Sequence, residues 1–362
     1  MAVDQFTRLM PEQQDCLASL ARLWAEYGSL VHEREGGLTG GMNWKTVRGV
    51  EYLVRYRPDP EGRSRQSMSS LGRRSRETEE VLGDFLRRRA VVMAEIERME
   101  PRLRVTAKAA SAIGLARLDW LTAQSLRRLD RAGLLGPERP ILVPLGAPGL
   151  AACEMSGGLV LDRPPAATDE EDDALTFYVR QDAGPLDMAL ARRVARSLFT
   201  AKIPVAVEQW SEGCFVLSGV DADGEPARIV DLISREAVER ELATTGFGSG
   251  ASHRLLVERL EHGATASSVV AARDGSSARF AAFDPFTYAL ASRTLARAGS
   301  SPRAEQRLAE ARGNAVAGLI RSGRLRVEMN SDMEAALSEV VLNVHRRREP
   351  VDTEEARDAP GP

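Results

Sequence analysis

The sequence has few cysteines, and they lie far apart. Cys16, Cys153 and Cys214 show no Cys-x-x-Cys spacing, so we expect no disulfide framework and assign the chain to a reducing compartment. The four histidines also lack the spacing of a zinc site. Aromatic residues make up 5% of the chain. Its hydrophobic cores must therefore be built mainly from leucine, valine and alanine.

Segments and motifs that define other classes of protein are also missing. No apolar run approaches the roughly 18 residues of a membrane span, and the first ten residues lack the basic and apolar regions of a secretory signal. The Walker A motif of P-loop proteins and the Gly-x-Ser-x-Gly elbow of hydrolases do not occur. We therefore expect a soluble, cytoplasmic protein with no membrane partner.

Charge is abundant but balanced. The 49 basic and 52 acidic residues give a formal net charge of −3, which argues against a chain that coats nucleic acid and favours local patches. One patch lies between residues 41 and 90, where twelve Lys and Arg oppose seven Asp and Glu. The pattern predicts a β-hairpin over 42–58 with its turn at Arg48-Gly49, followed by a polar loop over 59–70.

Basic and aromatic side chains alternate along this hairpin, a combination that can hold a nucleic-acid backbone and stack on bases. The candidate nucleic-acid contacts are Trp44, Lys45, Arg48, Arg55 and Arg57. The alternative is a solvated hairpin whose aromatic residues pack on the next helix.

Helical periodicity dominates the rest of the first third. Residues 12–33 predict an amphipathic helix, and a second helix is expected to begin at Ser75 and to break at Pro101. Two more helices are predicted near 102–115 and 118–133. Beyond them, short strands alternate with helices, which predicts an α/β unit inside an α+β chain.

The predicted organisation has five parts. They are an N-terminal helix (1–35), the basic hairpin with its helices (36–136), a central mixed-sheet domain (137–245), a mostly helical C-terminal domain (253–348) and a disordered tail (349–362). The glycine-rich stretch 245–252 follows a helix and not a strand, so it is interpreted as a linker and not as a dinucleotide-binding fingerprint.

Three acidic residues of the central domain are the candidate catalytic and metal-binding groups. Asp231 lies within the apolar strand Ile229–Ile233, where burial of a carboxylate without a polar partner is costly. Glu170 and Asp172 belong to an acidic run before the next predicted strand. Because the odd-numbered Leu175, Phe177 and Val179 are expected to face the core, Glu170 and Asp172 would share the opposite face. The alternative is a solvated acidic turn.

A glycine turn precedes these acids. Gly146, Ala147 and Gly149 follow a short apolar strand and begin a helix, whose backbone N–H groups could hold a triphosphate. Carboxylates on neighbouring strands could bind Mg²⁺ together with the phosphates of a nucleoside triphosphate. These are the parts of a magnesium-dependent nucleotidyltransferase, which would transfer a nucleoside monophosphate to a hydroxyl group.

Several segments resemble a largely uncharacterised bacterial family with the nucleotidyltransferase fold. The segments are Gly40-Gly41-Met42-Asn43-Trp44-Lys45, Ser70-Leu71-Gly72, Gly133-Leu134-Leu135-Gly136, the Gly146 turn with Glu154, Val230-Asp231-Leu232-Ile233, and Phe283-Asp284-Pro285 with Tyr288-Ala289-Leu290. The resemblance implies a central nucleotidyltransferase-fold mixed sheet.

The chain departs from the pattern of that family at its key positions. Ala147 replaces a Ser or Thr, Glu170-Glu171-Asp172 replaces Asp-hydrophobic-Asp, and Ser292 replaces a lysine. The resulting alternative is a catalytically inactive member that binds nucleic acid or a protein partner.

Overall fold

The computed structural model describes residues 6–57, 67–136, 140–161, 175–181, 184–198, 205–220, 226–245, 250–298 and 303–346. Within them the chain forms ten α-helices and thirteen β-strands, an α+β architecture with a helical C-terminal region, as predicted. Most helices bury one face, as the helical periodicity of the sequence predicts.

In chain order the helices are α1 (Pro11–Glu33), α2 (Arg76–Ala112), α3 (Trp120–Arg131), α4 (Gly146–Gly157), α5 (Met188–Leu198), α6 (Arg235–Thr245), α7 (Gly250–His262), α8 (Pro285–Ala298), α9 (Arg303–Arg321) and α10 (Ser331–Arg346). The strands are β1 (Phe6–Arg8), β2 (Gly41–Val47), β3 (Val50–Arg57), β4 (Ser67–Arg73), β5 (Ala116–Leu118), β6 (Leu142–Pro144), β7 (Leu159–Leu161), β8 (Leu175–Val179), β9 (Ala206–Ser211), β10 (Cys214–Val220), β11 (Pro226–Ile233), β12 (Thr265–Ala272) and β13 (Ser277–Phe283).

A five-stranded mixed sheet, the central sheet, has the order β6-β8-β11-β10-β9. Strands β8 and β11 are parallel, and the other neighbours are antiparallel. Leu175, Phe177 and Val179 of β8 face one hydrophobic core, shared with α3 and α5, as their alternation predicts. Tyr178 is also fully buried, on the opposite face, in the core formed with α6, α7 and α8. Both faces of β8 are therefore covered, whereas the edge strand β9 is largely exposed.

A buried polar contact ties α7 to the central sheet. The Tyr178 hydroxyl donates a hydrogen bond to the Glu261 carboxylate, which also accepts one from the Gln181 backbone N–H at 3.0 Å. The Arg180 Nε atom donates to the Glu261 backbone carbonyl at 2.8 Å. Burial, followed by the hydrogen bond to Glu261, raises the pKa of Tyr178 well above its usual value. The phenol therefore remains a neutral hydrogen-bond donor at physiological pH.

The N-terminal sheet is antiparallel and has the order β2-β3-β4. Its first hairpin turns at Arg48-Gly49, as predicted, with φ values of 51° and 79° that match a tight two-residue turn. The prediction of a loop over 59–70 was wrong at its end, because β4 begins at Ser67. That strand is rich in serine and lacks apolar alternation, so its pairing with β3 was not visible in the sequence.

The predicted break at Pro101 was also wrong. Helix α2 runs through the proline for 37 residues, and the predicted helix near 102–115 corresponds to its C-terminal end. A proline in a helix interior costs about 3 kcal/mol. The flanking Met99 and Leu103 are buried with Leu20 of α1 in a common core, and this packing offsets the cost.

The N-terminal helices also pack with the C-terminal hairpin of β12 and β13. Strand β5 pairs with β12 in parallel, with Ala116 opposite Ala271. The Trp24 indole N–H of α1 donates to the Ser277 hydroxyl of β13 at 2.9 Å. The predicted parts 1–35 and 253–348 therefore share a core, although they are distant in sequence.

Three sequence predictions concern the chain more broadly. The predicted tail 349–362 and residues 246–249 of the predicted linker lie outside the described residues. Cys16, Cys153 and Cys214 are free thiols. Among the helices that the structure describes, none has the length and apolar composition of a membrane span.

Candidate functional site

The glycine turn and Asp231 lie at the same level of the central sheet, on either side of β8. The Leu145 backbone N–H donates to the Thr176 carbonyl at 2.8 Å, and Gly146 follows at the start of α4. Thr176 is in turn the parallel register partner of Asp231. Two strand spacings separate the turn from Asp231, a distance of about 10 Å.

Asp231 is completely buried. Its sequence neighbours Val230 and Leu232 point into the core on the α3 and α5 side. Because strand side chains alternate, Asp231 points to the opposite face, together with its register partner Thr176. That face is the one covered by α6, α7 and α8. The structure therefore places this carboxylate between the sheet and the C-terminal helices.

The turn before α4 is held by a residue from α8. Gly146 has a φ of 61°, in the left-handed region that favours glycine. Its carbonyl accepts a hydrogen bond from the Tyr288 hydroxyl at 2.9 Å. Burial raises the pKa of Tyr288, and the neighbouring Arg312 and Ser292 oppose this shift. The phenol is therefore neutral and can donate its proton to the turn.

The three predicted nucleotide-binding residues differ in their surroundings. Gly146 and Ala147 are half-buried, whereas Gly149 is buried. A Cβ atom at Gly149 would lie 2.6 Å from the Tyr288 ring, so glycine is required there for packing. Pro148 lacks a backbone N–H. The donors that this turn can offer to an anion therefore come from Gly146 and Ala147.

The sequence did not identify Thr176 or Tyr288 as members of this site. Tyr288 belongs to the segment after Phe283-Asp284-Pro285, where Asp284 caps α8 by accepting hydrogen bonds from the Phe286 and Thr287 backbone N–H groups at 3.1 and 3.2 Å. The cap predicts a helix start, but it gives no sign that Tyr288 reaches a turn 142 residues earlier in the chain.

Glu170 and Asp172, the other two predicted metal ligands, lie outside the described residues. Within the part of the chain that the structure describes, no three His, Cys, Asp or Glu side chains are grouped closely enough to hold a metal ion. Asp231 is thus the member of the predicted triad whose position is known.

The predicted nucleic-acid contacts separate into two groups. Arg55 is buried, with 5% of its surface exposed, and its guanidinium lies 4.3 Å from the centre of the Phe85 ring of α2. It donates hydrogen bonds to the carbonyls of Gly37 and Thr39 at 2.7 and 2.8 Å. A long basic side chain was expected to be exposed at the surface. The Arg55 guanidinium instead donates its hydrogen bonds to backbone carbonyls of the segment between α1 and β2. Arg55 is therefore a structural residue.

Trp44 also lies on the inner face, because it pairs with the fully buried Leu53. The Arg74 guanidinium covers its ring at 5.2 Å. In contrast, Lys45, Arg48 and Arg57 are exposed. These three cations remain available to a ligand.

A cavity of about 450 Å³ lies between α6 and α7. Its wall combines charged side chains, including Arg235, Arg254 and Glu258, with the apolar Leu242 and Val257. None of the residues predicted from the sequence lines it. This cavity is therefore separate from the Gly146 turn and Asp231.

Comparison with protein-family models found no match for this chain. Comparisons with curated proteins and with solved structures likewise found none. The family resemblance drawn from the sequence therefore stays a prediction.

Proposed function

We propose that the central sheet carries a nucleotide site and that the protein is a nucleotidyltransferase, which transfers a nucleoside monophosphate from a nucleoside triphosphate to a hydroxyl group. The observation that carries the proposal is the row formed by Leu145, directly after β6, Thr176 of β8 and Asp231 of β11. This row puts a glycine turn and a buried carboxylate on either side of β8, the strand that Glu170 and Asp172 precede in sequence.

Asp231 and Thr176 share one face of the sheet because they are register partners. Glu170 and Asp172 precede Thr176 by six and four residues in the sequence. A straight continuation of β8 would give them the same face but would put them about 13–20 Å along the strand from Asp231. The proposal therefore requires the chain to turn back toward Asp231 before β8 begins.

Groups of the chain can then be assigned roles in a single reaction, the displacement of pyrophosphate at the α-phosphorus. The acceptor oxygen forms a bond to the α-phosphorus, the bond from that phosphorus to the pyrophosphate oxygen breaks, and Asp231 takes the hydroxyl proton. The Gly146 and Ala147 backbone N–H groups at the start of α4 would bind phosphate oxygens. Asp231 offers carboxylate oxygens, the ligands that Mg²⁺ prefers. Bound magnesium would neutralise the charge of the triphosphate.

The test is binding of a fluorescent nucleoside triphosphate to the full chain, with and without Mg²⁺. Asp231→Asn keeps the shape of the side chain and removes its charge, and we expect it to weaken Mg²⁺-dependent binding at least tenfold. Asp130→Asn is the matched control, because Asp130 is another largely covered carboxylate, on α3, and lies 3.7 Å from Arg279. The control should bind as the wild type does.

Transfer is measured separately, as pyrophosphate release in the presence of candidate hydroxyl acceptors. The proposal is abandoned if the folded wild type binds none of the four nucleoside triphosphates at millimolar concentration. It is also abandoned if Asp231→Asn, shown to be folded by its thermal melt, binds them as tightly as the wild type.

A further inference from the structure

The N-terminal sheet has one covered face and one open face. Its inner face carries Trp44, Leu53 and Arg55 and packs against α2. Its outer face is defined by the residues that alternate with these along the strands. They are Asn43, Lys45, Tyr52, Val54, Tyr56, Met68, Ser70 and Arg73. Those on β2 and β4 are exposed. On the middle strand the two tyrosines are half-buried, and Val54 between them is buried.

The charge of this outer face has one sign. Lys45 and Arg73 are its charged residues, and neither forms an ion pair with another described residue. Glu51, the acidic residue of the three strands, points to the inner face and binds Arg74 at 2.8 Å. Arg48 adds a further exposed cation at the tip of the hairpin. The outer face is therefore electrostatically complementary to an anion.

Aromatic rings lie among these cations. Tyr52 and Tyr56 are on the same strand and the same face, about 13 Å apart along it. The Arg73 guanidinium lies 5.9 Å from the Tyr52 ring centre, and its Nε atom donates to the Tyr52 hydroxyl at 3.3 Å. Lys45 lies beside Met68, with 3.9 Å between Nζ and Sδ. Arg73 thus holds the Tyr52 ring in place, and Tyr56 lies on the same cationic face.

We infer that the outer face of the N-terminal sheet binds single-stranded nucleic acid. Two or three cations bind phosphates only weakly. The two tyrosine rings must therefore supply much of the affinity by stacking on bases. The bases of a single strand can present their faces to tyrosine rings. In a duplex these faces are stacked on each other, so a duplex offers this surface mainly its phosphates. This inference is independent of the nucleotide site in the central sheet.

The experiment uses the full chain and fluorescein-labelled dT and rU oligonucleotides of about 20 nucleotides, with a duplex of equal length. We expect single strands to bind more tightly than the duplex. Tyr52→Ala combined with Tyr56→Ala should weaken this binding at least tenfold, since stacking on each base typically contributes about 5- to 150-fold. Asp231→Asn should leave it unchanged, which separates this proposal from that of the nucleotidyltransferase.

Lys45→Ala combined with Arg73→Ala should reduce the slope of log affinity against log salt by about 1.4, because each phosphate that is no longer neutralised lowers the slope by about 0.7. The matched control is Arg98→Ala with Arg104→Ala, which removes two exposed cations from α2. Their positions lie about 20 and 28 Å along the helix from Phe85. The control should keep the wild-type affinity and slope.

Thermal melts establish that each variant is folded. The inference is overturned if the duplex binds as tightly as the single strands, or if the folded tyrosine variant keeps the wild-type affinity. It is equally overturned if the wild type binds neither oligonucleotide at low salt, or if the α2 control weakens binding as much as the outer-face variant does.

Discussion

The central sheet and the N-terminal sheet differ in how many of their faces are covered. In the central sheet, the consecutive residues Phe177 and Tyr178 are both fully buried, because helices or strands pack on each side. In the N-terminal sheet, Leu53 is fully buried, whereas its neighbour Tyr52 is half-buried on the outer face. The middle of the central sheet is buried on both faces. The N-terminal sheet is buried on its inner face and open to solvent on its outer face.

The difference changes the meaning of a polar residue within a strand. Asp231 lies inside a covered sheet, where water does not solvate it, so its carboxylate must be satisfied by protein or ligand groups. Lys45 lies on an open face and needs no such explanation, because water solvates it. A buried acid is therefore conspicuous by itself in an apolar strand, whereas a surface cation suggests a site only with neighbours of the same sign.

The largest expected effect is on the stability of the covered sheet. Phe177→Ala should lower the free energy of unfolding by about 3–5 kcal/mol, because it leaves a cavity between β8 and the helices behind it. Tyr56→Ala on the outer face should cost about 1 kcal/mol or less. Urea denaturation of both variants measures the difference. Equal losses would show that the outer face is covered as the central sheet is.

The sequence predicted the core face of β8 well, because its apolar residues alternate at a period of two. Leu175, Phe177 and Val179 were placed on a core face for this reason, and they lie there. That Tyr178 is also buried could not be predicted, since its burial depends on α6–α8, which come far later in the chain. Periodicity identifies one covered face and gives no information about the other.

The candidate site shows the same limit. Asp231 was recognisable because an acid within an apolar strand is unusual, and Gly146 because glycine before a helix marks a turn. Tyr288 was not recognisable, because its contact with Gly146 joins elements 142 residues apart. Arg55 was misplaced because a basic residue in a charged hairpin is normally exposed, and its carbonyl partners are backbone groups that leave no trace in the sequence.

The hairpin turns of the two sheets provide a second contrast. Gly213 and Gly49 both have positive φ, 71° and 79°. A Cβ atom at Gly213 would lie 2.8 Å from the Ala237 backbone nitrogen, whereas a Cβ atom at Gly49 would have no such neighbour within 4 Å. Gly49→Ala should therefore cost about 1–2 kcal/mol of backbone strain. Gly213→Ala should cost about 1–3 kcal/mol more, because α6 must also move. Urea midpoints that coincide would contradict the contrast.

Arg55 lies on the inner, buried face of the N-terminal sheet. Arg55→Met should lower the free energy of unfolding by about 1.5–3 kcal/mol, because the carbonyls of Gly37 and Thr39 lose charge-assisted hydrogen bonds. Arg57→Met, two residues along the same strand and exposed, should change it by about 0.5 kcal/mol or less. If both variants lost the same stability in urea, the assignment of Arg55 to the interior would fail.

The smallest expected effect is a pH dependence on the covered side of the central sheet. Burial raises the pKa of Asp130, and the nearby Arg279 opposes this shift without cancelling it. The native state therefore holds the proton of Asp130 more tightly than the unfolded state does. Its contribution to stability is complete below the unfolded pKa and is lost as pH rises through the raised native value.

Asp130→Asn removes this titration, so the stability of the wild type should fall relative to that of the variant as pH increases from the ordinary aspartate range toward neutrality. The measurement is the free energy of unfolding of both proteins in urea at several pH values across this window. The pH slope is compared and not the absolute stability, because the variant also loses its ion pair with Arg279. Parallel profiles would mean that water reaches Asp130, and that the covering of this side of the sheet by α3 is looser than its packing indicates.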